Sequence, residues 1–325
     1  MIVNMRHVLV ALVVVSTLVT GAAAALAPPR TVVESTRITH LALTGRSVVY
    51  AVDENASRTT CAHLKLWNTA SRDLWRFGDS TTRVCREGPS TGSGIAAVAT
   101  SGRRVFWVTF AGGNVRDFTL WTATPGRRSP RRLADGSGDA DSREAAIVLG
   151  VGSRDGVPYA ADDTVTFVAD SGARRFRRQL ASPVRLVVAG RGPGAARVAA
   201  ALDDGRVVTL GVDGRVLSAS PPAAAVTALA LGSAGPAVQR GNTVSVGDTT
   251  VVLPAGALML DTLRDRIVYA RGAEVRSRFI ASGGADTLLR RIPVQAELPP
   301  GFAIERSGSA WADGSTVRWT ARTLP

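Results

Sequence analysis

Beyond Leu26 the apolar positions fall into short runs of roughly four to eight residues, rich in Val, Leu, Thr and aromatics and closed by Gly, Asp-Gly or Ser-Gly. No stretch carries the period of an amphipathic helix, so the pattern predicts strands joined by hairpins. Residues 206–218 show it well: Arg-Val-Val-Thr-Leu-Gly-Val, then Asp213-Gly214, then Arg-Val-Leu-Ser. Asp-Gly there favours a tight primed turn, whose twist matches that of a hairpin. Aromatics mark neighbouring strands in pairs, namely Tyr50 with Trp67, Trp107 with Trp121, Tyr159 with Phe167 and Trp311 with Trp319. Those on third strands, Trp67, Trp121, Phe167 and Trp319, are expected in the core.

Grouped in fours, the runs give residues 38–77, 95–133, 145–180, 184–218, 225–253, 258–292 and 302–323. The second strands carry Tyr50, Trp107, Tyr159, Ala199, Val238, Tyr269 and Trp311, which recur about every 43 residues, the spacing of four-stranded propeller blades. The last group has room for three strands. Residues 31–34, Thr-Val-Val-Glu, offer the missing outer strand and would remove a free sheet edge. The expected fold is all-β, a β-propeller of seven four-stranded blades closed by an N-terminal strand. Merging 225–253 with a neighbour gives six blades instead.

Residues 41–52, LALTGRSVVYAV, and 118–136, FTLWTATPGRRSPRRLADG, repeat one phrase: a strand ending in an aromatic, a Gly turn and an Arg-Leu strand. In this the chain resembles secreted bacterial β-propellers of the TolB and WD-repeat-like type. The Gly-His and Trp-Asp dipeptides of true WD repeats are absent. The resemblance therefore implies a fold and carries no activity or partner over to this chain.

The N-terminus reads as separate from the fold. Arg6 and His7 precede an apolar run from Val8 to Thr20, then Gly21 and a string of alanines with Ala22 and Ala24 at peptidase-like positions. The reading is a signal peptide over 1–24, a linker over 25–30 and a single propeller domain over 31–325. An uncleaved anchor is the alternative, because residues 8–27 are long enough to span a bilayer. Either way the protein is exported, to the cell envelope or the extracellular space. Export changes the meaning of the two cysteines: in an oxidising compartment Cys61 and Cys85 are expected to form a disulfide.

The net charge of +13 rests on arginine, since Lys65 is the only lysine among the 39 basic residues. Arg103 and Arg104 fall between first and second strands. Arg127, Arg128, Arg131 and Arg132, then Arg174, Arg175, Arg177 and Arg178, fall on or before fourth strands. This sector suits an anionic envelope polymer or lipid headgroup by Coulomb attraction. No aromatics alternate with these arginines, so nucleic acid is not an expected partner.

Asp53, Asp162, Asp203 and Asp313 each follow a second strand, which places them together on one face as a candidate ligand site. Asp is also a common turn residue. The acidic run Asp135, Asp139, Asp141 and Glu144 lacks the regular pattern of a calcium loop and reads as a linker. Gly88-Pro89-Ser90-Thr91-Gly92 matches a nucleophile elbow, but no helix follows and only His40 and His63 lie outside the leader. No metal and no cofactor is expected. The functional reading is a monomeric binding or scaffold module, with another protein as the second possible partner. The alternative is a propeller-type hydrolase or lyase acting on a polysaccharide through two carboxylates.

Overall fold

The computed structural model describes residues 29–321 apart from 57–58, 78–83, 88–92, 128, 140–145, 192–196, 282–283 and 293–300. The segment expected to be a signal peptide, the Gly88–Gly92 motif, Arg128, Asp141 and Glu144 lie outside the described residues. Strand β1 (Arg30–Val33) precedes blade 1, which consists of β2 (Ile38–Thr44), β3 (Ser47–Ala56), β4 (Thr59–Asn68) and β5 (Leu74–Phe77), with β6 (Val84–Glu87) added on β4. Blade 2 has β7 (Ser93–Thr100), β8 (Val105–Gly112), β9 (Val115–Ala123) and β10 (Arg131–Asp139). Blade 3 has β11 (Ile147–Leu149), β12 (Gly156–Ala161), β13 (Thr164–Ala169) and β14 (Arg174–Gln179). Blade 4 has β15 (Val184–Ala189), β16 (Val198–Leu202), β17 (Val207–Leu210) and β18 (Val216–Ala219). Blade 5 has β19 (Ala228–Gly232), β20 (Gly235–Arg240), β21 (Thr243–Val246) and β22 (Thr249–Val252). Blade 6 has β23 (Leu258–Leu263), β24 (Arg266–Arg271), β25 (Glu274–Phe279) and β26 (Thr287–Arg291). Blade 7 takes β27 (Phe302–Glu305), β28 (Gly308–Asp313) and β29 (Thr316–Ala321) from the end of the chain and β1 from its beginning.

All named pairings are antiparallel, and the first strands of successive blades contact one another from β2 round to β27 and back to β2. Within a blade the strands are A to D from the channel outward. The A–B and C–D turns share one face of the ring, and the B–C turns share the other with the blade-to-blade connections.

Seven apolar clusters fill the seven gaps between blades. B strands are apolar without alternation because a neighbouring blade covers each of their faces. Val198–Leu202 is buried throughout, whereas the outer strand Val216–Ala219 is exposed throughout. Ala200 of the one faces Phe167 and Phe176 of blade 3, whose rings stack at 5.9 Å. Small residues on one blade thus make room for rings on the next. Trp67, Phe167 and Trp319 are buried as expected, while Trp121 is half-buried beside Trp107.

Register decides where each aromatic pair goes. Trp107 stands directly opposite Trp121, and both fill the gap between blades 1 and 2. Phe167 pairs with Pro158 and not with Tyr159, so those two rings leave opposite faces of blade 3. Trp319 likewise pairs with Ala310 and leaves the face opposite to Trp311.

Ring closure uses backbone on one side and side chains on the other. Arg30–Val33 pairs with Trp319–Thr316 of β29, and Glu34 N–H donates to Ser315 O at 2.8 Å. Towards blade 1, the Glu34 carboxylate accepts from Tyr50 Oη at 2.6 Å and from Nζ of Lys65, the single lysine. Burial, followed by this bond to Glu34, raises the Tyr50 phenol well above its ordinary range.

Three local expectations change. β3 and β4 run on as a hairpin to Ala56 and Thr59, so Asp53 sits inside a strand opposite Ala62 rather than on a turn. β10 extends to Asp139, which makes Asp135 and Asp139 strand residues opposite Thr119 and Val115, not linker. Asp213-Gly214 does not form a two-residue primed turn. Gly214 ends a longer turn over Gly211–Arg215, at φ 79°, where a Cβ would come within 2.9 Å of the Phe176 ring. Cys85 lies in a strand of its own, directly opposite Cys61 across β4 and β6.

Candidate functional site

The channel opens into a pocket at each face, and the two are built from different chemistry. On the B–C face a pocket of about 840 Å³ lies over blades 2 to 5. Its floor is apolar, with Ala97, Ile147, Leu149, Leu186 and Val226, and its rim carries Asp135, Asp162, Arg185 and Asp203. Two of the four aspartates predicted from the sequence, Asp162 and Asp203, therefore come together, on adjacent blades. Asp53 on blade 1 and Asp313 on blade 7, paired with Arg318 at 3.5 Å, lie elsewhere.

The rim carboxylates differ in their partners. Asp203 is ion-paired with Arg185, and Asp135 with Arg132. Next to Asp162, the Asp163 carboxylate accepts from Gln179 Nε2 and Thr164 Oγ1, both at 2.9 Å, which holds its acid below the ordinary carboxylate range. The Asp162 carboxylate has no hydrogen bond or ion pair among the described residues. Its backbone is the anchor, with Asp162 O accepting from Val184 N at 2.9 Å. Asp162 also holds φ 53°, where the matching turn positions of blades 5, 6 and 7 are Gly241, Gly272 and Gly314 at φ 60°, 54° and 60°. A side chain is kept where glycine would be unstrained.

The predicted arginine sector divides. Arg104 donates to Asp170 O at 3.1 Å and Ser171 O at 3.0 Å, and Arg131 donates to Gly172 O at 2.6 Å. These two clamp the C–D turn of blade 3 to blade 2. Burial, then the nearby Arg131 charge, lowers the Arg104 guanidinium from its ordinary value. Arg103, Arg127, Arg132, Arg174, Arg175, Arg177 and Arg178 are exposed. Four of them flank buried Phe176 on outer strand β14, where charge also discourages edge-to-edge pairing.

On the opposite face a pocket of about 750 Å³ is formed by the A–B turns of blades 3 to 7. Arg191 of blade 4 reaches across the channel. Its Nη1 donates to Asp261 Oδ2 of blade 6 at 2.5 Å and to Ile304 O of blade 7 at 2.6 Å, while its Nε lies 3.7 Å from Glu305 Oε1. Glu305 Oε2 accepts from Gly45 N of blade 1 at 2.5 Å, and Arg191 Nε donates to Gly152 O of blade 3 at 3.4 Å. Five blades meet at one guanidinium and one carboxylate. Burial raises both Asp261 and Glu305 above the ordinary carboxylate range, and Arg191 opposes the shift.

This mouth is absent from the sequence-based expectations, although a signal exists. Six of the seven A–B connections carry arginine: Arg46, Arg103 with Arg104, Arg154, Arg191, Arg264 and Arg306. Aligning the residues that follow first strands brings them out. Among the described residues no group of three or more His, Cys, Asp or Glu is placed to hold a metal ion. No helix there is long and apolar enough to cross a membrane.

No family model and no curated protein matches the sequence. Solved structures do. A chain in the crystal structure of the mitotic checkpoint complex is similar over 99% of this chain and 100% of its own length, at 14% identity and a TM-score of 0.55. Raptor from Chaetomium thermophilum is similar over 92% of this chain and 30% of its own, at 12% identity and a TM-score of 0.53. The Pan2 WD40 domain of Neurospora crassa aligns over 91% of this chain at 12% identity and a TM-score of 0.47. At these identities the likeness is one of fold. The chain is a seven-bladed β-propeller.

Proposed function

We propose that the protein is an exported binding or scaffold propeller, of the bacterial TolB-like kind, whose B–C face pocket takes a basic, partly aliphatic segment of a partner protein. The observation that carries this reading is the unpaired carboxylate of Asp162, held at φ 53° over an apolar floor. An apolar pocket with a few convergent polar groups suits ligand recognition, and a free carboxylate selects an ammonium or guanidinium. The exposed arginines of blades 2 and 3 add an outward basic band suited to an anionic envelope polymer.

A displayed random-peptide library panned against the full chain tests the pocket. Enriched peptides are expected to join Lys or Arg to aliphatic residues, and Asp162→Asn is expected to weaken them about tenfold, or ~1.4 kcal/mol. Enrichment without basic residues, or equal binding by Asp162→Asn, would overturn the assignment.

Export and the disulfide belong to the same reading. They are supported by the leader-like segment ahead of β1 and by the register that sets Cys61 opposite Cys85, with no free cysteine among the described residues. Mass spectrometry of unreduced, alkylated protein from the extracytoplasmic fraction reads both the N-terminus and the thiols. Two alkylated cysteines would sink the disulfide, and absence of the chain from that fraction would sink export.

A further inference from the structure

We propose that the A–B mouth of the channel is a second binding site, one that takes a phosphoryl-type oxyanion carrying two or more negative charges. Four arginines from four blades, Arg154, Arg191, Arg264 and Arg306, line this pocket, against the carboxylates Asp155, Asp261 and Glu305. Arg191 is committed to Asp261, Glu305 and the Ile304 carbonyl. The guanidinium groups of Arg264 and Arg306 are exposed and make no hydrogen bond or ion pair among the described residues. Arg154 is also exposed and acts on Glu305 only through its charge. Three cationic forks around one cavity, each with paired N–H donors, match the oxygens of a phosphoryl group.

Two further observations point to an occupant. Ser153 is 3% exposed and lines the pocket, and its Oγ has no hydrogen-bond partner; Thr262 Oγ1, in the same lining, has none either. Buried hydroxyls are ordinarily satisfied. Second, Arg264 sits at φ 55° in the turn Leu263–Arg266, at the place that Gly45 holds at φ 62° in the equivalent turn of blade 1. A long cationic side chain is retained at a position that glycine fills without strain, and non-glycine residues held there cluster at functional sites. The demand for more than one charge comes from the carboxylates already present, which a singly charged anion would have to outcompete. The cavity of about 750 Å³ has room for a diphosphate or a larger phosphorylated group.

The test titrates inorganic pyrophosphate into the full chain by calorimetry and compares the Arg264→Ala/Arg306→Ala double variant, whose changes fall on exposed turns, with Arg215→Ala/Arg271→Ala, two exposed arginines outside the pocket lining, as a control for general basicity. The expected result is binding by the parent chain, weakened at least about tenfold (~1.4 kcal/mol) in the mouth variant and unchanged in the control. A parallel flotation arm uses vesicles containing cardiolipin, whose headgroup carries two phosphate charges, against phosphatidylcholine alone. If pyrophosphate does not bind but the mouth variant loses preference for cardiolipin, the phosphoryl group is that of a lipid headgroup and the site stands. Equal binding by parent and mouth variant in both arms, or no binding in either, overturns it.

Discussion

The two mouths of the channel solve opposite problems with the same repeated unit. On the B–C face the pocket is a gap in apolar packing, and its rim charges other than Asp162 are settled locally: Arg185 with Asp203 on one blade, Arg132 with Asp135 on another. On the A–B face the charges act at long range, with Arg191 bonded to partners 70 and 113 residues away. The first mouth rests on blades that are already packed and can change its rim freely. The second contributes to the packing of the ring, so its central charges have a structural duty that its outer arginines lack.

The largest effect should come from breaking that duty. Arg191→Ala leaves Asp261 and Glu305 buried without their cation, and an uncompensated buried charge costs about 3–5 kcal/mol at pH 7. The pH dependence has a definite sign. Both acids already have folded values raised by burial, and losing Arg191 raises them further. A raised acid contributes its stability fully below the unfolded value, near about 4, and loses it as pH rises through the folded value. The deficit of the variant should therefore be large at neutral pH and fade towards pH 4. Urea unfolding of parent and variant at both ends of that window measures it; an equal deficit at both would mean lost packing rather than stranded charge.

A smaller pair of changes sharpens the comparison at the rims. Arg264→Gly should stabilise the fold by about 1 kcal/mol by relieving a left-handed backbone. Asp162→Gly should gain less, because Asp tolerates that region better than Arg. Each should at the same time weaken only the ligand of its own face. Thermal unfolding alongside the two binding assays checks this, and a loss of stability in either variant would show that the side chain is held by packing rather than kept for a ligand.

Much of the ring is legible in the sequence because each blade is a local unit. The first group, 38–77, coincides with β2 to β5, and the closing strand is displaced by one residue from 31–34 to Arg30–Val33. Errors arise where pairing overrides local composition. Asp53-Glu54-Asn55 reads as a turn, yet β3 carries it as strand because β4 supplies a partner at every position. The rim aspartates are half legible: turn chemistry marks Asp162 and Asp203, but only the ring order makes them neighbours and leaves Asp53 and Asp313 apart. Arg191 is the least legible of all. Nothing near it in the chain differs from any other Gly-Arg turn, and its partners become visible only once blades 6 and 7 are brought across the channel.

The shared seventh blade has a consequence for the order of events during synthesis. Arg30–Val33 emerges before every other strand of the ring, and its partner Thr316–Ala321 after them. Six blades can therefore assemble one after another by nearest-neighbour docking, but the ring stays open until β29 has been made, with β1 held in waiting. Closure is a single late step of long sequence separation, the kind that sets folding times and leaves partly built chains exposed. If the apolar N-terminal run acts as the proposed leader and the chain crosses a membrane as it is made, the segment that must wait longest is also the one next to that run, so that its retention would fix one half of the clasp in place while the other half travels to it.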